Sequence, residues 1–385
     1  MRACARACLR AAPLARWLPR WLVAHTPLCS PPRAAHPTRW QDEKLLNLYR
    51  LQGRSEAEGR DLSLVIFDAR SKIAAEANKM KAKGYEIVAN YENTTLQFCG
   101  IGNIHTMRES LSQLRELVAH GGGEDAGAGW HAKLHSSGWL RHMQGIIKAS
   151  VRMARALHAG HSVVNHCSDG WDRTAQMCAM SQLLLDPHFR TVRGFATLVE
   201  KDWCAFGYKF LQRCGHGSEG EQSERSPIFV QWLDGVAQVL RQFPTAFEFS
   251  EELLVFLADH VFSGLFGTFL VNFDRQRQLI HKLEEKTVSV WGYLFKHFER
   301  SFANKRYRRA EGALWPSWHA HKVTLWERYF LRWDPEMHPP AATGEVWEDD
   351  AGTRFLEREG LAGAEALASP AAEGTDGPPQ PARQG

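Results

Sequence analysis

The sequence predicts an α/β protein in which helices flank a central sheet and the C-terminal half is largely helical. From about Asp61 onward, short apolar runs rich in β-branched residues alternate with longer segments of helical periodicity. Beyond residue 228, long helical patterns follow one another without an intervening strand pattern. The chain has 385 residues, of which 44% are hydrophobic and 23% charged, and this composition suits one large folded domain.

The individual elements follow from these patterns. Apolar runs predict strands at 62–67, 95–100 and 162–166. Helical periodicity predicts helices at 71–83, 103–120 and 139–159, with a glycine-rich loop at 121–129. After the last strand, Met177, Met180 and Leu184 form the apolar stripe of a further helix. The second half predicts helices at 228–242, 251–273 and 286–298, which we interpret as scaffold, and a polar loop at 215–226.

Both ends of the chain differ in composition from the folded domain predicted at 41–335. Residues 1–40 form a leader that is rich in Arg, Ala and Pro and lacks Lys, Asp and Glu. This leader is predicted to be disordered or, as an alternative, a mitochondrial targeting segment in which Pro13 limits any helix. Residues 336–385 are rich in Pro, Ala, Gly and acidic side chains, which predicts a disordered tail.

The net charge and the cysteine content limit the classes of function that the sequence is compatible with. A net charge of +4 suits an anionic membrane surface, but no Lys/Arg run interleaved with aromatics indicates nucleic acid. No run approaches the roughly 20 apolar residues of a membrane span. The 8 cysteines show neither a disulfide framework nor paired metal-ligand spacing. We therefore expect a reduced compartment, no metal site and no cofactor.

The most informative segment joins the predicted strand at 162–166 to the helix after it. Cys167 ends the strand pattern and Arg173 follows six residues later, which is the layout of a cysteine-dependent phosphatase loop. The spacing is not sufficient evidence, because Cys4 and Arg10 have the same separation. That pair lies in the leader and encloses no glycine, whereas Gly170 lies inside the second loop.

The chemistry of such a loop explains each residue type. Successive backbone N–H groups at a strand-to-helix turn form an anion nest at the positive end of the helix. Gly170 permits the backbone conformation of the turn, and Arg173 offers a planar fork to two phosphate oxygens. Cys167 is the predicted nucleophile, His166 is predicted to brace the loop, and the Thr174 hydroxyl is predicted to stabilise the thiolate.

A carboxyl group is also required, because the departing alkoxide needs a proton and the attacking water later needs a base. We assign this role to Asp172, since it neighbours Arg173, and we expect Asp169 to orient the bound head group. The rival is an aspartate on a separate mobile loop, for which Asp334 in Trp333-Asp334-Pro335 is the candidate.

The segment from His166 to Thr174, His-Cys-Ser-Asp-Gly-Trp-Asp-Arg-Thr, resembles the signature of the active myotubularins. These phosphatases remove the 3-phosphate of phosphatidylinositol 3-phosphate and phosphatidylinositol 3,5-bisphosphate. The resemblance extends over roughly residues 40 to 335, through segments such as 67–70, 84–86, 102–105, 199–203 and 243–249. It implies a protein-tyrosine-phosphatase-like sheet, a myotubularin-like phosphatase domain at 41–335 and a phosphocysteine intermediate.

The resemblance also implies the roles of individual residues. The catalytic set is Cys167, Asp172 and Arg173. The expected substrate-binding set is Asn78, Asn103, Ile104, Ser168, Asp169, Gly170, Trp171, Lys209 and Arg213. The spacing of Lys209 and Arg213 predicts that both lie on one helical face. Lys209 stands where the family usually has arginine, so it keeps the charge but not the bidentate fork.

Several expectations concern the rest of the protein. The segment before Asp61 is short, so we expect the family's N-terminal lipid-binding domain, of the PH-GRAM type, to be missing. The expected partner is a phosphoinositide head group at a membrane surface, with dimerisation with a like or different myotubularin as a further expectation. The expected location is cytoplasmic and peripheral on endosomal membranes, and mitochondrial targeting is the alternative.

Two other functions compete with a phosphoinositide phosphatase. One is a catalytically silent myotubularin-like scaffold, which the intact Cys167 and Arg173 argue against. The other is a protein tyrosine phosphatase. The basic pair Lys209 and Arg213 favours a polyanionic head group over a phosphopeptide.

Overall fold

Four parallel strands form the sheet of the protein. The computed structural model describes residues 21–23, 39–52, 63–79, 84–119, 127–216 and 222–333. The strands are β1 (Trp21–Val23), β2 (Leu64–Asp68), β3 (Thr94–Phe98) and β4 (Ser162–His166). Their spatial order is β1-β4-β2-β3, so consecutive strands are joined by crossovers that contain helices.

The register of the sheet brings three strand ends to one level. Asp68, the last residue of β2, pairs with Phe98 on β3 and with His166 on β4. Every residue of β2 and β4 is buried, as expected for strands covered on both faces. The chain therefore leaves β2, β3 and β4 at the same carboxyl end, which is where open parallel sheets bind ligands.

The described residues up to position 185 contain six helices in addition to the sheet. They are α1 (Arg39–Gln52), α2 (Lys72–Lys79), α3 (Ile104–Ala119), α4 (Gly127–Ser137), α5 (Trp139–His158) and α6 (Arg173–Leu185). Every residue of α6 is buried, and α5 packs against it. The hydroxyl of Ser181 on α6 donates to the Ser150 carbonyl on α5 at 3.0 Å, which satisfies a polar group inside this contact.

The described residues after α6 contain helices and turns but no strand. The helices are α7 (Val192–Val199), α8 (Phe210–Cys214), α9 (Ile228–Gln242), α10 (Glu251–Ser263), α11 (Leu283–Lys286), α12 (Val290–His297) and α13 (Glu327–Phe330). Wide helical turns occupy Glu200–Ala205, Gln276–Ile280 and Phe298–Phe302. An aromatic core joins them, in which the rings of Phe195 and Trp232 stack with centroids 5.5 Å apart.

Most predicted helices and strands are present, and two of them begin and end at the predicted residues. The strand at Ser162–His166 and the helix at Ile228–Gln242 are as predicted. The helix predicted at 251–273 is wrong in its second half, because α10 ends at Ser263. There Gly264 adopts a left-handed conformation with φ 71° and stops the helix. The helix predicted at 286–298 begins later, where the Ser289 hydroxyl accepts a hydrogen bond from the Trp291 N–H.

The predicted leader and tail are mostly outside the described residues. Trp21–Val23, within the predicted leader, forms β1 and pairs with β4. The predicted tail at 336–385 and the rival aspartate Asp334 lie outside the described residues. Among the helices that are described, none combines the length and the apolar character needed to cross a bilayer.

Candidate active site

The predicted phosphate loop is the connection between β4, which ends at His166, and α6, which begins at Arg173. Cys167 is 3% exposed, and the Gly170 N–H donates to its Sγ at 3.2 Å. Gly170 has a φ of 95°, which an L side chain rarely adopts. The loop therefore turns the backbone N–H of Gly170 toward the sulfur, as an anion-binding cradle requires.

The guanidinium of Arg173 is held across this loop by two acceptors. Its Nη1 donates to the Ile101 carbonyl at 3.3 Å and its Nη2 to the Ser168 Oγ at 3.1 Å. Ile101 is fixed in turn, because its N–H donates to the carbonyl of Ala69 at 2.9 Å. The ends of β2 and β3 thus orient the arginine that sequence analysis assigned to phosphate binding.

Asp172, the predicted acid, forms a bidentate ion pair with Arg213. The Nε and Nη2 of Arg213 donate to the two carboxylate oxygens at 2.9 and 3.0 Å. Glu224 binds the same guanidinium through Nη1 at 2.7 Å. Burial alone lowers the pKa of Arg213, but its hydrogen bonds and its proximity to Asp172 raise that pKa above its ordinary value. Arg213 therefore contacts the predicted acid directly, a contact that the sequence analysis did not anticipate.

Lys209 contacts the loop from the position immediately before α8. Its Nζ lies 4.1 Å from the ring centroid of Trp171, within cation–π range. Lys209 precedes Phe210, the first residue of α8, with φ −80° and ψ 64°, and its carbonyl accepts the Arg213 N–H at 2.8 Å. This bond spans four residues as in a helical turn, and the predicted shared face stays a prediction. Both cations contact loop residues.

His166 is buried behind the nucleophile and bound to a glutamate. Its Nε2 lies 3.0 Å from the Glu86 Oε2, and both side chains are 1% exposed. Burial by itself lowers the pKa of His166. The hydrogen bond and charge of Glu86, the charge of Asp68 and the Cys167 carbonyl outweigh burial and raise that pKa to about 9. His166 is therefore a cation near neutral pH, and its other ring nitrogen lies 3.3 Å from the Cys167 carbonyl.

A second buried ion pair lies at the end of β2. The Nε of Arg70 donates to Asp68 Oδ1 at 2.9 Å, and its Nη2 donates to Oδ2 at 2.6 Å. Both side chains are fully buried. Nη2 also donates to the Gly84 carbonyl at 2.9 Å. Burial lowers the pKa of Arg70, and Asp68, Cys167 and Glu86 together raise it above its ordinary value. The pair has no net charge, and it fixes the carboxyl end of β2, where Asp68 pairs with His166 at the start of the loop.

The buried amide of Asn165 is satisfied at its nitrogen, whereas its Oδ1 has no hydrogen-bond partner among the described residues. Asn165 is 2% exposed, and its Nδ2 donates to the Thr174 carbonyl at 3.3 Å and to the Cys178 Sγ at 3.2 Å. The amide thereby joins the end of strand β4 to the first turns of helix α6. The Thr174 hydroxyl has no hydrogen-bond partner among the described residues, so its predicted contact with the thiolate stays a prediction.

The remaining predicted substrate-binding residues differ in their contacts and in their burial. Asn103 caps α3, where its Oδ1 accepts from the Thr106 N–H at 3.0 Å. The Ile104 carbonyl accepts from the Ser226 Oγ at 2.8 Å. Asp169 is half-buried within the loop, and Asn78 is half-buried in the last turn of α2. Among the described residues, no hydrogen bond or ion pair joins Asn78 to the loop.

Sequence reasoning missed the partners of the loop rather than the loop itself. It assigned no role to Glu86, Asp68 or Glu224. Glu86 and Asp68 belong to the family-like segments at 84–86 and 67–70, which was the available signal. Glu224 lies in the segment interpreted as a polar loop and gave none. In the described part of the chain, no group of three or more His, Cys, Asp or Glu side chains could hold a metal ion.

A parallel sheet whose carboxyl end carries a cysteine, a left-handed glycine and an arginine defines an α/β protein with an anion-binding loop, the class that contains the cysteine phosphatases. Comparison with known proteins specifies the family. Residues 25–278 match the family described as "Myotubularin-like phosphatase domain". The chain belongs to the myotubularin family of phosphatases.

Individual relatives agree with this assignment. The chain is 42% identical over 302 residues to the Mus musculus protein named "Phosphatidylinositol-3,5-bisphosphate 3-phosphatase MTMR2", which covers 78% of this chain and 45% of that protein. The Gallus gallus protein of the same name is 42% identical over 302 residues, covering 78% of this chain and 51% of that protein. Xenopus laevis "Myotubularin" is 40% identical over 299 residues, covering 77% and 48%. The chain thus spans about half the length of these relatives.

Proposed function

We propose that this protein is a phosphoinositide 3-phosphatase that acts on phosphatidylinositol 3-phosphate and phosphatidylinositol 3,5-bisphosphate. The observation that carries the proposal is the complete loop, in which the Gly170 N–H lies 3.2 Å from the Cys167 sulfur and Arg173 is held across the cradle. Membership of the family and the names of the relatives support an inositol lipid as substrate. A protein-tyrosine-phosphatase-like arrangement of the sheet is part of the same proposal.

In the first step, the Cys167 thiolate attacks phosphorus while the backbone N–H groups and Arg173 bind the phosphate oxygens. An S–P bond forms and the bond from phosphorus to the inositol oxygen breaks. Asp172 enters this step as a carboxylic acid and donates its proton to the leaving alkoxide, which leaves it as the carboxylate that pairs with Arg213. Charge that develops on the phosphoryl oxygens is stabilised by donors already in place, so little reorganisation is needed during the reaction.

In the second step, water attacks the phosphocysteine. Asp172, now a carboxylate, accepts the proton from this water, the S–P bond breaks and the thiolate and inorganic phosphate are released. The buried ion pairs Glu86–His166 and Asp68–Arg70 hold the strand ends beside the loop throughout both steps.

Lys209 is proposed to serve the polar head group directly, and Arg213 to serve it through the loop. Lys209 places its charge over Trp171 beside the cradle, and Arg213 binds Asp172. A membrane-surface substrate and a peripheral location on endosomal membranes are proposed with this function. Dimerisation with a myotubularin and mitochondrial targeting remain separate proposals without support from the described contacts.

The proposal is tested by measuring phosphate release from short-chain phosphatidylinositol 3-phosphate. Wild type is expected to release phosphate, Cys167→Ser is expected to release none, and Asp172→Asn is expected to be slower by roughly a hundredfold or more. Circular dichroism of each variant verifies that it is folded. Absence of turnover by folded wild type would identify a scaffold. A higher kcat/KM on a phosphotyrosine peptide would identify a protein phosphatase instead.

A further inference from the structure

Glu224 is connected to the predicted acid through one arginine. Its carboxylate accepts from Nη1 of Arg213 at 2.7 Å, and its own backbone carbonyl accepts from the same Nη1 at 3.0 Å. The opposite edge of the guanidinium, formed by Nε and Nη2, donates to both carboxylate oxygens of Asp172. These contacts occupy every nitrogen of the guanidinium, and the Arg213 side chain is 3% exposed. Its orientation is therefore determined from both ends.

The turn that carries Glu224 is itself attached to α3. Nη1 of Arg108 donates to the carbonyls of Gln222, at 3.1 Å, and of Ser223. Just after the turn, the Ser226 N–H donates to the Arg213 carbonyl at 3.1 Å and the Ser226 Oγ donates to the Ile104 carbonyl. The turn is thus bound both to α3 and to the helix that bears Arg213.

The close approach of this segment continues at Gly215, which follows α8. A Cβ built on Gly215 would lie 2.6 Å from the Arg225 Nε, closer than real Cβ atoms come. Gly215 therefore leaves room for the Arg225 side chain beside the end of α8. The backbone next to Glu224 is held by the contacts of Arg108 and Ser226.

We propose that Glu224 is a positioning residue for the phosphatase reaction, which holds Arg213 on Asp172 and so fixes the carboxyl group beside the leaving oxygen. The inference rests on the proposed function and deepens it. An acid must be within hydrogen-bond reach of the departing oxygen, and a bidentate arginine fixes both the distance and the plane of a carboxylate. Without the Glu224 carboxylate, Nη1 of Arg213 keeps only the neutral backbone carbonyl as its acceptor, and the carboxyl group of Asp172 gains rotational freedom.

Leaving-group dependence separates this role from a merely structural one. Proton donation matters most for a poor leaving group such as an inositol alkoxide or phenolate, and least for 4-nitrophenolate, which departs without much assistance. The experiment compares kcat/KM for short-chain phosphatidylinositol 3-phosphate, phenyl phosphate and 4-nitrophenyl phosphate. The ratio kcat/KM covers the steps through departure of the leaving group, so later hydrolysis of the phosphocysteine does not mask the effect.

Glu224→Gln is expected to lower kcat/KM about tenfold on the lipid and on phenyl phosphate and to change it less than about twofold on 4-nitrophenyl phosphate. Glu224→Ala is expected to show the same selective loss, enlarged. Combining Glu224→Gln with Asp172→Asn is expected to cause no further loss on phenyl phosphate beyond that of Asp172→Asn alone, because both changes affect one proton transfer. Glu299→Gln, at an exposed glutamate on the turn Phe298–Phe302, is the matched control.

Three results would overturn the inference: an equal loss on all three substrates, no loss on any, or additive losses in the double variant. Thermal melts of every variant check that the fold persists. If wild type cleaves the aryl phosphates but not the lipid, the proposed lipid activity fails while the comparison of phenyl with 4-nitrophenyl phosphate still decides the role of Glu224.

Discussion

Glu86 and His166 form a buried ion pair, with the Nε2 and Oε2 atoms 3.0 Å apart, at the residue that immediately precedes the candidate nucleophile. The two residues come from different parts of the chain. β4 delivers His166, and the segment after α2 delivers Glu86. Because both side chains are 1% exposed, neither charge is solvated by water and each depends on the other.

The Glu86–His166 pair makes stability depend on pH. The pKa of His166 is about 9 in the folded protein and about 6.5 when unfolded, so the folded state binds the proton more tightly. This stabilisation, on the order of 3 kcal/mol, is complete below about pH 6.5 and is lost as pH rises through about 9. Glu86→Gln is expected to lower the pKa of His166 and to flatten the dependence. Urea unfolding between pH 6 and 10 and imidazole NMR titration measure both effects.

Glu109→Gln is the control for this prediction, since Glu109 is exposed on α3 and accepts a hydrogen bond from its helix neighbour Gln113. It should leave the pH dependence as in wild type. A His166 resonance that titrates near its ordinary value in wild type would contradict the assignment of a charged imidazole.

The Asp68–Arg70 pair is predicted to be critical for stability. Asp68→Asn leaves the fully buried guanidinium without its bidentate carboxylate, and the expected loss is about 3–5 kcal/mol of unfolding free energy. Equilibrium urea denaturation measures it. Asp274→Asn removes a partly exposed carboxylate 3.9 Å from Arg277 and should cost less than about 1 kcal/mol. Comparable losses of unfolding free energy in the two variants would contradict the prediction that the buried pair matters more than the exposed one.

Gly170→Ala is predicted to damage both stability and phosphate binding. At φ 95° an added Cβ is strained, with an expected cost of about 1–2 kcal/mol, and the relaxed loop would withdraw the N–H that points at Cys167. Calorimetry with orthovanadate, a phosphate analogue, should show weaker binding. In contrast, Gly145→Ala in α5 meets no atom within 4 Å and should stabilise the helix slightly without changing binding.

Lys209→Met is predicted to raise KM for phosphatidylinositol 3,5-bisphosphate by about fivefold, since one charge at roughly 4 Å in a wet site is worth about 1 kcal/mol. KM for 4-nitrophenyl phosphate should change little, because that substrate lacks the second phosphate. Lys209→Arg should retain the lipid KM, since it keeps both the charge and the stacking on Trp171. An equal rise on both substrates would place Lys209 at the reacting phosphate instead.

Several elements could be predicted because their signal is local. The strand at Ser162–His166 and the helix at Ile228–Gln242 have continuous apolar patterns and clear ends, and the structure reproduces both. The helix predicted to reach residue 273 failed at Gly264, because an apolar pattern continues past the point where one left-handed glycine reverses the chain.

The sequence by itself determined the loop from Cys167 to Arg173, because nucleophile, glycine and arginine are contiguous and each residue type has a chemical reason to be there. Only the tertiary structure decided which charges surround it. Glu86 reaches His166, and Arg213 reaches Asp172 across 41 positions, through strand register and helix packing that no sequence period encodes. Buried charges are stable only when paired, so the partners of the loop are fixed by where the folded chain brings opposite charges together.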